Sequence, residues 1–447
     1  MSIQQTLEKI LRQVKEGLHP SDLVDLVDEL TDAQKKELFE LLSDEEAALI
    51  IQEMEEFDQV SLIRLLTGHR ASAILKEMAV DDAADLLREL PPELTRELLS
   101  LIEEEAEEIR GLLKYREDTA GGIMTTDFIS LPEDIPVEEA IIRLREVAPE
   151  AEIIYYVYVV DEQTRLSGVL SLRDLIAAQD GTLLREIMYR NVISVPTDMD
   201  QEEVARVVAR YDLLAVPVVD EEQRLLGIIT VDDIIDVIEE EATEDIYRLA
   251  GTGEVEGVNI LEASVFGLAR RRFPWLVISL LGGLLSGSVI GVFEATLQSI
   301  VLLAVFIPVI MGMGGNVGTQ SSTLFVRGLA TGEIKSRDVW SYLFREVKVG
   351  LAMGLANGVI IALAGFLWTG IPALGLPNGL IIGLAVGLAM FLTITLAAII
   401  GTMVPAIFNY YGVDPAISAG PFVTTIQDVT GLLIYFYTAS MFLNYLT

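Results

Sequence analysis

The chain has 447 residues, with 31 Lys/Arg against 68 Asp/Glu and a net charge of −37. That balance argues against nucleic acid or anionic lipid as a partner of the charged part, and the lack of cysteine excludes disulfides and thiolate metal sites. The two histidines, His19 and His69, lie far apart, so any metal must be held by oxygen, which points to Mg²⁺ or Ca²⁺.

The charge is unevenly placed. Residues 273–447 hold five Lys/Arg and six Asp/Glu, so residues 1–272 carry −36 of the total. An acidic soluble head therefore precedes an apolar membrane body. The N-terminal MSIQQTLEKILRQVKEG is amphipathic and charged and lacks the apolar core of a secretory signal, so the head is expected in the cytoplasm.

Residues 1–115 are expected to form short amphipathic helices. Leu18-His-Pro-Ser-Asp, Leu30-Thr-Asp, Leu42-Ser-Asp and Leu90-Pro-Pro-Glu each combine a helix end, a turn and an N-cap. Their recurrence predicts a superhelix of helical hairpins. Asp81 and Asp85 share one helix face there. Residues 121–241 then repeat internally. Tyr158–Ile176 matches Pro217–Ile235, pairing Asp161 with Asp220, Gly168 with Gly227 and Asp174 with Asp233, each 59 residues apart. Each copy predicts strand, helix, strand, turn, strand, helix. Glu239–Leu249 follows as an acidic connecting helix, with Glu241 on one face with Glu244 and Asp245.

Five apolar runs, roughly 273–293, 298–326, 346–369, 379–408 and 420–445, are long enough to cross a bilayer, which needs ~20 residues per helix. Arg270, Arg271 and Arg272 precede the first, and the connection between the second and third is basic. By the positive-inside bias the head and the Tyr410–Asp414 loop face the cytoplasm, and the C-terminus lies outside. Among the apolar runs one acid stands out, Asp428. A carboxylate in hydrocarbon is expensive, so it suggests a cation path. On the second run Asn316, Thr319, Gln320 and Thr323 share a face, and on the fifth Thr424, Gln427, Asp428 and Gly431 do. Small polar residues also serve helix packing, but packing does not need a carboxylate, and an oxygen-rich face suits a hard hydrated cation. There is no cysteine, no histidine beside an acid cluster and no phosphate loop, so an enzyme is not expected.

Two resemblances follow. The VVD…GVLS and VVD…GIIT segments look like a tandem pair of CBS modules, which as a class report on ligands, often adenine nucleotides; ATP at this pair is therefore one expectation. The whole order, together with GGNVGTQSST at 314–323, EATEDI at 241–246, GVDPA at 412–416 and Asp428-Val-Thr-Gly-Leu-Leu-Ile-Tyr435, resembles the MgtE family of magnesium channels and transporters. The implied architecture is multidomain: an all-α acidic helical N-terminal domain (1–118), an α/β tandem CBS pair (119–240), a connecting or plug helix (241–271) and a five-span α-helical transmembrane domain (272–447). The resemblance implies a homodimer in the cell membrane that imports Mg²⁺ and is closed by cytosolic Mg²⁺. Asp428 would match the pore aspartate, with Asn316, Thr319, Thr323 and Thr424 lining the path. Cytosolic Mg²⁺ sites would fall on Asp81, Asp85, Asp212, Asp233, Asp236, Glu241, Glu244, Asp245 and Asp414. The chain departs from the pattern at Thr319 and Gly420, where asparagine is the better-known residue, and at Leu49, where the family can carry glutamate. The rival readings are a transporter or exchanger for another divalent ion such as Co²⁺ or Mn²⁺, and a membrane-anchored CBS sensor that conducts nothing.

Overall fold

The computed structural model describes residues 3–102, 106–147, 153–252, 264–299, 301–369 and 379–446, in two compact units, Met1–Glu241 and Ala242–Thr447. Residues 253–263 of the expected connecting segment, and most of the loop between the third and fourth apolar runs, lie outside the described residues.

The first unit begins with α1 (Ile3–Lys15), α2 (Pro20–Asp28), α3 (Asp32–Leu41), α4 (Asp44–Gln52), α5 (Glu56–Leu65), α6 (Gly68–Glu77), α7 (Val80–Glu89), α8 (Pro92–Ile102) and α9 (Ala106–Leu112). They start where cap chemistry directs. Thr31 and Ser43 form capping boxes with Gln34 and Glu46, and Thr67 accepts from the Arg70 amide. From α2 onward each helix packs on the next but one, through to α7 on α9, which is the expected stack of short hairpins. Leu38, Phe39, Ile50, Ile51, Leu62 and Ile74 fill its centre. Arg70 on α6 staples an earlier corner, donating to the carbonyls of Phe39 at 2.8 Å and Leu42 at 2.7 Å and pairing with Asp44.

The internal repeat folds twice into the expected order. The first copy is β1 (Ser130–Pro132), α10 (Val137–Val147), β2 (Tyr156–Val160), β3 (Leu166–Ser171) and α11 (Leu172–Ala177). A short α12 (Leu184–Ile187) leads to the second: β4 (Val195–Pro196), α13 (Gln201–Tyr211), β5 (Ala215–Val219), β6 (Leu225–Thr230) and α14 (Val231–Ala250). In both sheets the first two strands are parallel, joined by a helical crossover, and the last two antiparallel. The paired acids of the repeat have local work. Asp161 and Asp220 each accept two backbone N–H groups inside the β2–β3 and β5–β6 turns. Asp174 and Asp233 close the N-termini of α11 and α14 on Ser171 and Thr230. Because no glycine or proline interrupts 231–250, the acidic connecting segment is the second half of α14, a single 20-residue helix. It ends at Gly251, whose φ of +65° takes the chain out of the helix.

The second unit holds α15 (Val265–Val292), α16 (Glu294–Ser299), α17 (Leu303–Ala330), α18 (Val339–Thr369), α19 (Gly379–Tyr410), α20 (Pro415–Ala419) and α21 (Pro421–Leu446). Among the described residues five segments are long and apolar enough to cross a membrane: α15, α17, α18, α19 and the α20–α21 stretch. α15 starts at Val265, so Arg270–Arg272 lie within its second turn rather than ahead of the span. α19 is central, packing on α17, α18 and α21, and buries Ile382, Val386, Ala389, Ile394 and Ala397. Its contact with α18 is backbone against backbone: a Cβ on Gly387 would stand 2.7 Å from the Gly358 carbonyl oxygen, and one on Gly358 equally close to the Gly387 carbonyl.

Gly387→Val should therefore force α18 and α19 apart at a cost of roughly 1–3 kcal/mol. Gly283→Val, where an added Cβ meets nothing within 4 Å, is the control. Melting of the two variants in detergent checks this; equal melting temperatures would refute the close helix contact.

Candidate functional site

The membrane helices carry two acids in unlike settings. On α17 the buried side is Gly314, Val317, Gly318, Ser321, Ser322 and Phe325. The opposite side presents Asn316, Gln320 and Thr323 exposed, with Thr319 half-buried, so the expected oxygen stripe forms. On α21 the structure divides the expected face. Thr424 and Asp428 are half-buried, but Gln427 is fully buried. Its Nε2 donates to the Ala397 carbonyl at 3.0 Å, and its side chain fills the space that Gly318 leaves on α17. Residues 427 and 428 lie 100° apart on a helix. The amide therefore pins α21 into the bundle and turns the neighbouring carboxylate away from it. The Gly318–Gln427 crossing sets Thr319 and Asp428, each one residue on, beside the same helix junction.

Asp428 is not the only carboxylate on these helices. Glu346 of α18 is buried, accepts from the Ser321 hydroxyl at 2.9 Å and is hydrogen-bonded by Tyr342. The sequence hides it, because Arg345 and Lys348 make the segment resemble a charged loop end. α18 starts seven residues before the expected run at 346, and that places Glu346 inside the helix facing α17. Its Ser321 and Tyr342 partners mark it as a fastening between α17 and α18.

In the head, α7 and α14 bring acids together. Asp81 is buried. Asp85 pairs with Arg88, whose other N–H groups reach the carbonyls of Leu112 and Gly122. Burial still pushes Asp85 up to about 7, against the pull of Arg88. Asp82, which no local pattern sets apart from its neighbours, accepts from Gln52 Nε2 at 2.5 Å. Its carboxyl is raised by burial and by the charges of Glu53, Asp236 and Asp232. Asp236 is raised by burial and by Glu239, Asp232, Glu53 and Glu55. Asp233 is pushed to about 6 by burial, although Thr230 donates to it twice. Carboxylates of α7 and α14, with Glu53 just past α4, are thus held within each other's field. Glu53, Asp82 and Asp232 belong to this group alongside the expected Asp233 and Asp236.

The other expected sensor acids are dispersed. Asp212 is exposed and ends α13 in the left-handed region at φ +50°. Glu241 accepts from Gln201 Nε2 at 2.8 Å. Glu244 and Asp414 are both bound to Arg248, and Asp245 lies on the same helix as Glu244. Among the described residues no three acids converge as a ready-made metal cage. Oxygen-only donors that repel across a partly desolvated gap fit a hydrated Mg²⁺ that bridges, since that ion sheds its water reluctantly. The two departures also have a place. Leu49 is exposed on α4. A Cβ on Gly420 would meet the Leu249 carbonyl oxygen at 3.0 Å, so the end of α14 lies where an asparagine side chain would project.

Three family models match the chain: a divalent cation transporter model, MgtE, over residues 307–438; the MgtE intracellular N domain over 18–118; and the CBS domain over 120–181 and 184–240. The magnesium transporter MgtE of Thermus thermophilus is 42% identical over 456 aligned positions, covering 99% of this chain and 98% of that protein. The magnesium transporter MgtE of Enterococcus faecalis is 43% identical over 76% of this chain and 73% of its own length. A crystal structure of the cytosolic domain of the Mg²⁺ channel MgtE in complex with ATP superposes with a TM-score of 0.50 at 44% identity, covering 53% of this chain and 98% of that one.

The crowded head acids set a pH dependence. A carboxyl raised in the folded state favours folding in its protonated form, so its contribution is full below the ordinary value near 4 and is lost as pH rises through the folded value. With Asp233 at about 6 and Asp85 at about 7, the full-length protein in detergent and chelator should melt at higher temperature at pH 5 than at pH 8. Adding Mg²⁺ should raise the pH 8 value more than the pH 5 value. Melting that is unchanged from pH 5 to pH 8 in chelator would contradict the mutual repulsion.

Proposed function

This chain belongs to the MgtE family of divalent cation transporters, and we propose that it imports Mg²⁺ across the cell membrane through a path beside Asp428, closed by cytosolic Mg²⁺ held on the acids of the head. The observation that carries the path is the split of α21: Gln427 locked inward, Asp428 and Thr424 left facing outward near the oxygen stripe of α17. Asn316, Gln320 and Thr323 are exposed on a helix long and apolar enough to span the membrane, and polar groups at that depth need a polar neighbour or water. A second copy of the chain supplies that neighbour, so the working unit is a homodimer with the two Asp428 carboxylates on either side of its axis. Such a pair attracts a divalent ion while leaving its water shell in place.

The head supports the closing step. At low Mg²⁺ the acids of α7 and α14 and Glu53 repel, and each bridged pair removes part of that repulsion. Swinging a gate from mostly open to mostly closed takes about 5.5 kcal/mol of differential binding, which a few bridged pairs supply. Residues 1–118 and the CBS pair at 119–240 would form the sensor, 241–271 the plug, and 272–447 the pore. The head would lie in the cytoplasm and the C-terminus outside, as the basic residues around α15 and between α17 and α18 favour. The ATP-bound relative supports ATP as the ligand of the CBS pair. The relatives are named magnesium transporters, not enzymes.

Asp428→Ala should lose Mg²⁺ uptake into proteoliposomes while the dimer still forms, and Asp428→Asn, which keeps the shape, should lose it nearly as fully because charge is the attracting term. Wild-type flux in either variant would remove Asp428 from the path. Uptake of Co²⁺ or Mn²⁺ that outcompetes Mg²⁺ would move the cargo to another divalent ion, and no cation current in wild type would leave only a sensor.

A further inference from the structure

Asp414 has both carboxylate oxygens engaged. Oδ1 accepts from the Ala416 amide at 2.7 Å and caps α20, while Oδ2 takes Nη1 of Arg248. Nη2 of the same guanidinium holds Glu244, one turn earlier on α14. The three side chains are largely buried, 22% exposed for Arg248, 16% for Glu244 and 26% for Asp414. Packing surrounds this bridge. Leu249 lies against Val326, Ala416 and Ala419, and Gly251 places its Cβ direction 3.0 Å from the Pro421 ring. The end of α14 is thus seated on the α20–α21 corner, and a positive side chain joins the two acids on which Mg²⁺ was expected.

We propose that Arg248 is a tethered cation which, when Mg²⁺ is scarce, occupies the Glu244–Asp414 carboxylate pair in place of the metal and so sets the Mg²⁺ concentration at which the path closes. The proposal rests on the reading that cytosolic Mg²⁺ closes the path. A guanidinium suits the task, since its planar fork spans two carboxylates at once and it never loses its charge. It is also replaceable. One guanidinium between two carboxylates leaves a charge of −1, whereas a divalent ion leaves none. Guanidinium and metal cannot both sit against the pair without repelling each other, so the two compete, and the coupling is reciprocal. In wild type, α14 therefore stays seated in chelator, and Arg248 swings out only when Mg²⁺ is abundant enough to outbid it.

Competition has a signature that plain docking lacks. Removing the guanidinium by Arg248→Gln should loosen the seat without Mg²⁺ and yet let Mg²⁺ restore it at a lower concentration. If Arg248 served docking alone, the variant would be looser at every Mg²⁺ level. The chain contains no cysteine, so Ile246→Cys and Tyr411→Cys, both exposed, give unique spin-label positions. Full-length protein is measured in nanodiscs, with labelled chains diluted in unlabelled ones so that each distance is within one chain.

Wild type in chelator should give one narrow distance. Arg248→Gln should give a broad one that narrows on Mg²⁺ addition, with a midpoint about fivefold below that for the Mg²⁺ inhibition of wild-type flux, the scale of one partly exposed ion pair. Arg248→Lys, which keeps the charge but not the fork, should fall between. A narrow distance in chelator for Arg248→Gln, or a midpoint that stays or rises, overturns the proposal. If Arg248→Gln aggregates, Arg248→Lys carries the test: a wild-type distance and midpoint there sink the proposal, and a broadened distance with a lowered midpoint supports it. If wild-type flux ignores Mg²⁺ while Arg248→Gln still unseats in chelator, the latch stands and the closure reading falls.

Discussion

A chain with 68 acids and 31 bases must build its contacts with cations in short supply, and much of this structure follows from how the few are used. Arg70, Arg88 and Arg248 each serve several partners at once. Arg70 joins Asp44 to two carbonyls of an earlier corner, Arg88 joins Asp85 to two carbonyls at and beyond the end of α9, and Arg248 joins Glu244 to Asp414. Where no arginine is available, as among Asp82, Asp232 and Asp236, the acids face one another, and the carboxyls of Asp82 and Asp236 are raised. A protein built this way is held by a few shared cations, and its acids repel where none is at hand.

The membrane body solves a different problem with a related economy. Backbone contacts at Gly358–Gly387 and the Gln427 amide at Gly318 hold the helices, and the Ser321–Glu346 bond fastens α17 to α18. Gln427, which holds the helices together, is buried, while Asn316, Gln320 and Thr323 are exposed and Asp428 is half-buried. Asp428 and Gln427 are neighbours in sequence in unlike settings because a helix rotates by 100° per residue.

Much of this was legible in the residues. Caps at Thr31 and Ser43, the repeat through Asp161/Asp220 and Asp174/Asp233, and the apolar runs all report local rules, and local rules leave local marks. What stayed hidden was partnership. Nothing local separates Asp82 from Asp81 and Asp85; the choice is made by α4 and α14 arriving from elsewhere in the chain. Glu346 looked like a loop charge because α18 extends further back than hydropathy alone suggests. Arg248 drew no notice beside five acids in eleven residues, yet it is the residue those acids needed.

The two copies of the repeat touch through their turns. Leu166 N–H donates to the Gln223 carbonyl and Leu225 N–H to the Thr164 carbonyl, with Arg165 bridged to Arg224. Thr164 and Gln223 both sit at positive φ, +60° and +64°, so each hairpin bends to complete the other. Neither copy satisfies its own strand start; each borrows from its twin. An insertion in one turn would disturb the strand start of the other as well as its own, so the two hairpins keep their register only together.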